Sequence, residues 1–296
     1  MKKLLTVLKW TGITLVGLIV LLAAAIYGIS EYKLNQTYNV PLADLAVPTD
    51  SASIHEGARL TRIYHCEGCH GEKLAGREFL NVPMLATLYA PNVIAALPNY
   101  SNAELDRMVR QGVHRDGRGN WMFASGMYCN MADRDMGKIV GYLRTLKPAA
   151  GPTLPKNSYG PLGRTLLIAG QFAPPATLID HAHSRERANS AAADTSQVGR
   201  GKYLVMSVCM GCHGGPELKG DPDPHMNSPA LIIATAYKPD AFRHFLHTGE
   251  GGLGKKDCGE MSKMAKGFLT KLTDTEINDI YAYLQTLPNQ KTVASR

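Results

Sequence analysis

Cysteine, cysteine and histidine recur at one fixed spacing: Cys66-Glu67-Gly68-Cys69-His70, and again Cys209-Met210-Gly211-Cys212-His213. Two thiols two residues apart, followed directly by an imidazole, are the pattern for covalent attachment of a c-type haem. The thiols add across the vinyl groups of the porphyrin, and the imidazole supplies the proximal iron ligand. One copy would also suit half of a zinc site. Two copies, each opening a similar block of sequence, point to two haem c groups. Cys66, Cys69, Cys209 and Cys212 are therefore the expected attachment residues, and His70 and His213 the expected proximal ligands.

The other face of each iron decides its chemistry. Methionine opposite histidine gives a six-coordinate iron suited to electron transfer, whereas a missing ligand suits peroxide or gas chemistry. In the second block the candidate distal ligands are Met261 and Met264, within Gly259-Glu260-Met261-Ser262-Lys263-Met264-Ala265. In the first block, Trp121-Met122-Phe123-Ala124-Ser125-Gly126-Met127 offers Met122, with Met127 as the alternative. Any of these could equally be a packing residue, since a thioether fills irregular apolar gaps. Cys129 and Cys258 occupy the corresponding loops and admit three readings: unrelated thiols, a disulfide, or a thiolate ligand.

These residues need helices to position them. A short amphipathic run, Glu56 to His65 or Gly199 to Val208, leads into each motif, and Gly71 or Gly214 marks the exit. An offset of 141 carries Met136, Ile139, Val140, Leu143 and Leu146 onto Ile277, Ile280, Tyr281, Leu284 and Leu287, all apolar or aromatic at helical spacing. Two amphipathic helices on one plan should close the blocks, with Asp133 opening the first and a Thr273/Glu276 capping box the second. Pro148 and Pro288 stop them. Ser101 and Glu104 form another capping box for a middle helix reaching Arg110, with Asp240 to His247 as its counterpart. His181 and His183, in the stretch between the blocks, read as solvated loop residues rather than a metal site.

With 296 residues the chain has room for two domains. Four of its six cysteines lie in the motifs, which argues against a disulfide scaffold. The formal charge of +7 falls to about +3 once roughly four haem propionates are counted, and no basic-aromatic patch accompanies it, so nucleic acid is not an expected partner. Lys2, Lys3 and Lys9 precede the twenty uncharged residues Trp10 to Ile29, enough for one bilayer crossing of roughly 30 Å. A retained anchor is favoured over a cleaved signal ending at Ala23-Ala24-Ala25, because signal cores are shorter. The lysines then stay cytoplasmic and the rest is exported, placing the chain on a bacterial inner membrane with its haem domains in the periplasm. The expected division is 1–30 anchor, 31–50 polar tether, 51–148 first domain, 149–197 proline-rich crossover, 198–290 second domain and 291–296 tail.

From Glu56 to Leu287 the chain resembles the membrane-anchored dihaem c-type cytochromes of bacterial respiratory chains, and Gly160-Pro161-Leu162-Gly163-Arg164 is reminiscent of the same group. The resemblance implies an all-α fold: two tandem class I cytochrome c domains behind an N-terminal transmembrane helix. It favours Met261, because such cytochromes carry a Met-Ser-x-x-Ala segment there, whereas the spacing to Leu272 fits Met264 better. In the first block the Met-Pro pair common in class I cytochromes would fall on Phe123-Ala124, which is neither residue. The implied role is electron transfer from a dehydrogenase or quinol-oxidising donor to an oxidase or soluble cytochrome, as a carrier or subunit rather than an enzyme. The alternative is a dihaem peroxidase or thiosulfate dehydrogenase with one unusually ligated haem.

Overall fold

A computed structural model describes residues 2–121, 124–147, 151–221, 227–252 and 254–288. The chain opens with α1 (Lys2–Leu34), an exposed apolar helix roughly 50 Å long and able by length and composition to cross a membrane. The first half then forms α2 (Ser51–Ile63), α3 (Cys66–His70), α4 (Val93–Ala96), α5 (Asn102–Gln111), α6 (Ala124–Tyr128) and α7 (Asp133–Thr145). Two helices lie between the halves, α8 (Pro161–Ile168) and α9 (Ser184–Ala193). The second half holds α10 (Gln197–Leu204), α11 (Pro239–Thr248), α12 (Glu260–Gly267) and α13 (Asp274–Leu284).

Each half is built on one helix crossing, α2 against α7 and α10 against α13. Glycine permits the close approach in both. A Cβ on Gly57 would fall on the carbonyl of Lys138, and one on Gly201 on the carbonyl of Asp279. Lys138 and Asp279 are 141 positions apart, the offset that relates the two apolar patterns. From α7, Met136, Ile139, Val140 and Leu143 are buried in the first core, with Leu60, Tyr64 and Leu105. From α13, Ile277, Ile280 and Leu284 are buried in the second, with Val205, Phe242 and Phe245. Both expected capping boxes are present, Ser101 with Glu104 and Thr273 with Glu276. Asp133 lies inside the first turn of α7 after an Ala132 cap, and its carboxylate accepts from Arg110, Arg185 and Asn189 instead of capping.

The fold is mainly helical, with two small sheets among the described residues departing from an all-helical reading. β1 (Arg77–Val82), β2 (Ala86–Ala90) and β3 (Ser158–Tyr159) form an antiparallel sheet in that order. The chain turns between β1 and β2 at Pro83-Met84, and Met84 takes a left-handed φ of 65°. β3 comes from the crossover, so part of that stretch is bound to the first half. A smaller pair, β4 (Gly220–Asp221) and β5 (Ser228–Pro229), follows the second motif.

The segments expected as tether and crossover are packed. Val47 lies against the first core, Val40 is buried beside Val113 and Ala176, and the Tyr38 amide donates to Gly117 at 2.8 Å. Gly137 and Gly141 of α7 leave room for the backbone at Ala46 and Pro48. The run Ser184 to Ala193 is helical because alanine suits a helix and Ala188 and Ala192, one turn apart, are both buried. His181 is held between Gln111 (2.7 Å) and the Ala176 carbonyl (2.8 Å), while His183 pairs with Asp180. α8 docks on the end of α1: Arg164 donates to the buried Ser30 hydroxyl (2.7 Å) and to Glu31, and stacks over Tyr27 at 4.6 Å.

Candidate haem sites

The motifs are reached by different backbone routes. In the first half α2 stops at Ile63, His65 takes a left-handed φ of 60°, and Cys66–His70 forms a separate turn. In the second, α10 runs into a π-helical turn over Val205–Cys209 and the motif follows in tight turns. Both routes end with the same contacts. His70 Nδ1 lies 2.8 Å from the Pro91 carbonyl, and His213 Nδ1 lies 2.8 Å from the Pro229 carbonyl. A carbonyl only accepts, so Nδ1 carries the hydrogen and Nε2 keeps its lone pair. That is the tautomer an iron ligand needs, held by an outer partner. The loop after each motif closes alike: Gly76 donates to the His70 carbonyl (2.7 Å) and Gly220 to the His213 carbonyl (3.1 Å), each glycine at positive φ.

Burial sets the electrostatics. It lowers both proximal imidazoles against the opposing pull of the proline carbonyls, which favours the neutral form. It pushes the Cys66 and Cys209 thiols up to about 12, with the second thiol of each motif adding to the effect. This environment disfavours the thiolates a zinc site requires.

The first motif opens onto a cavity whose walls are almost wholly apolar. Its lining comes from the motif and Pro91 (Cys66, Cys69, His70), from α5 and the turn after it (Leu105, Met108, Val109, His114), and from α7 and its approach (Met131, Met136, Ile139, Leu143). Thiols at the edge, one imidazole fixed for ligation and an otherwise apolar lining fit a porphyrin. The second motif presents matching groups: Cys209, Met206, Val208 and Met261 pack against the second core, with Tyr281 and Tyr283 beside them. Arg110, 1% exposed, donates to the Met131 carbonyl at 2.9 Å and pairs with Asp106 and Asp133, so it braces α5 against the start of α7.

Residues 198–288 match the cytochrome c family. This segment is a cytochrome c domain, and its cofactor is haem c. Relatives extend the likeness across most of the chain. The cytochrome c subunits of the quinone-dependent alcohol dehydrogenases of Gluconacetobacter polyoxogenes and Komagataeibacter europaeus are each 25% identical over 281 residues, covering 81% of this chain and 57% of theirs. A nicotinate dehydrogenase subunit of Pseudomonas putida is 24% identical over 266 residues, covering 81% of this chain and 22% of its own length. The chain thus spans little more than half of the two alcohol dehydrogenase subunits.

The distal candidates fare differently. Met261 packs against the second core one helical turn from the fully buried Ala265; Met264 is half-buried and outside that cluster. Met122 lies outside the described residues. Met127 does not line the first cavity: it packs on the second core, where a Cβ on Gly211 would lie 2.7 Å from its sulfur. Cys129 and Cys258 are free thiols, each bonded to a carbonyl of its own turn. His114, absent from the sequence-derived set, enters the first cavity two residues past Gly112, the left-handed cap of α5. A glycine-closed helix followed by histidine is a local signal, but only the folded turn shows which way it leads.

The motif regions touch. Phe268 of the second half packs on the His65 ring, centroids 3.6 Å apart, and Asn130 of the first donates to the Met210 sulfur at 3.3 Å. Between α10 and the start of α7, the Tyr203 hydroxyl donates to Asp135 (2.6 Å) and accepts from the Ala132 amide (3.0 Å), while between the two motif approaches the Tyr64 hydroxyl reaches Ser207 (3.3 Å). Burial raises both tyrosines far above the usual phenol range, so they stay neutral. Arg59 forks onto Glu276 at 2.7 and 2.8 Å and also donates to the Lys271 carbonyl.

Proposed function

We propose that the chain is a dihaem electron-transfer protein, carrying haem c on Cys66 and Cys69 and on Cys209 and Cys212, with His70 and His213 as proximal ligands. The observation that carries this reading is the repeated pairing of the motif histidine with a proline carbonyl, at 2.8 Å in each half. When bound, haem c supplies a one-electron iron couple. The protein's own residues fix each imidazole, exclude water with the two cores, and hold the motif regions against each other through the Tyr64–Ser207 and Tyr203–Asp135 contacts. Met261 is the proposed distal ligand in the second half, on the strength of its packing against that core.

α1 serves as a membrane anchor in this reading, with the haem domains in the periplasm. The hold of Arg164 on Tyr27, Ser30 and Glu31 supports retention, since residues beyond the Ala23-Ala24-Ala25 site are part of the folded body. The relatives suggest a dehydrogenase as the electron donor, with an oxidase or a soluble cytochrome as the acceptor. The test is a pyridine haemochrome assay against protein mass for the full chain expressed with c-type maturation. Two haems per chain are expected, and one after Cys66→Ala/Cys69→Ala; a single haem in the unaltered chain overturns the dihaem reading.

A further inference from the structure

We propose that the first haem site is a bis-histidine site, with His114 as the axial ligand opposite His70. This rests on the reading that Cys66, Cys69 and His70 hold a haem. Both histidines line one cavity, and they come to it from different elements, His70 from the motif and His114 from the turn after α5.

The backbone at His114 is fixed. Its amide donates to Arg118 at 2.9 Å, its carbonyl accepts from Gly117 (2.9 Å) and from Arg107 (3.0 Å), and the preceding Val113 is fully buried and bridged to Gly119. Its ring is not fixed by any hydrogen bond: among the described residues neither nitrogen has such a partner. Burial keeps the imidazole neutral, with Asp116 and Arg118 acting on it in opposite senses. An imidazole that lines an apolar cavity from a rigid turn, with no hydrogen bond on either ring nitrogen, has a lone pair to give to a metal. The other histidine in the lining that lacks a hydrogen bond, His65, is wedged between Gly68 and the Phe268 ring.

The second half shows the reverse arrangement at the same place. Gly112 and Gly249 both close their helices in the left-handed conformation, and Val113 and Glu250 both form the next bridge. The residue after the bridge is His114 in the first half and Gly251 in the second, where a Cβ would collide with Cys258 and Lys255. The half that offers Met261 has no side chain at this position. The half with an imidazole here has Phe123 where a methionine was expected. Imidazole is a stronger donor than a thioether, so the first iron should have the lower reduction potential.

The experiment is the oxidised optical and paramagnetic resonance spectrum of the full-length haem-loaded chain, normalised to the haemochrome count. With two low-spin haems, the far-red sulfur-to-iron band should have the intensity of one methionine-ligated site. His114→Ala should turn half of the haem high-spin, leave that band unchanged, and return to low-spin on addition of imidazole. His114→Met should double the band and raise the lower of the two potentials, which tests the site by substitution rather than deletion. Met122→Leu and Met108→Leu should leave the spin state unchanged. A band worth two sites in the unaltered protein, an all-low-spin His114→Ala variant, or high-spin haem in either methionine variant overturns the proposal. A count of one haem per chain would fail the dihaem reading itself, a result distinct from these.

Discussion

The two motif approaches differ in backbone and agree in outcome. One helix breaks at a left-handed His65 and restarts; the other widens into an under-wound π-turn that runs on to Cys209. Both deliver an imidazole 2.8 Å from a proline carbonyl, and both cross the last helix of their half at a glycine. The path into the motif is therefore adjustable. What the chemistry fixes is the pair of end conditions: a closest-approach crossing that sets the helix, and a carbonyl that sets the tautomer. The distal sides share no such end condition: the turn after α5 carries His114 where the second half has Gly251, and Met261 packs only on the second core.

The largest test of that comparison is at the crossings. Gly57→Val and Gly201→Val each force a side chain onto a backbone carbonyl with no flexible atom to yield, so each should cost at least about 3 kcal/mol by denaturant unfolding. Tolerance at one crossing alone would mean that the halves are not held by the same device. Tyr203→Phe comes next, at about 1–3 kcal/mol, because it takes the hydroxyl away from one buried Asp135 oxygen and from the Ala132 amide together. Tyr64→Phe removes longer contacts, 3.3 and 3.4 Å, and should cost only about 0.5–1 kcal/mol; equal losses would show that the two hydroxyls act as one network. Arg59→Ala severs an ion pair whose partners are 23% and 21% exposed, and a loss of about 1–2 kcal/mol that shrinks in added salt is expected. The smallest effect is in acid. Burial alone would raise the Asp133 carboxyl, but hydrogen bonds from Asn189, Arg110 and Arg185 outweigh it and hold the group below its ordinary 3.8. The folded value being the lower one, Asp133 stabilises the fold above that ordinary value, and the contribution is lost as pH falls through the depressed value. Asp133→Asn should flatten the acid side of the stability curve and leave neutral pH little changed in slope.

Much of this architecture was legible because it repeats. The five-residue apolar pattern and its 141-residue offset located α7 and α13, and the two capping boxes formed where Ser101 and Thr273 stand. The β1–β2 hairpin was not legible: its strands are short and half-exposed, and its pairing depends on Met84 adopting a left-handed turn that the residue type does not announce. Residues 31–50 read as a tether because they are polar and proline-broken; around Ala46 and Pro48 they pack because Gly137 and Gly141 let backbone lie on α7, a fit between two distant segments. Met127 shows the limit at the site. Its position in the chain suits the first cavity, yet the turn of α6 sends it across to Gly211.

The grip of Arg164 on the end of α1 bears on how a chain anchored by that helix would meet its partners. A free strand over residues 35–50 would let the haem-bearing body roam through roughly 20–25 Å and present any face. Packed as it is, with Arg164 joined to Tyr27, Ser30 and Glu31, the body keeps one height and one azimuth relative to the helix axis. Were that helix to sit in a bilayer, encounter with another protein of the same bilayer would become a planar search among pre-aligned surfaces, and the side of the body turned toward the lipid would be closed to soluble partners.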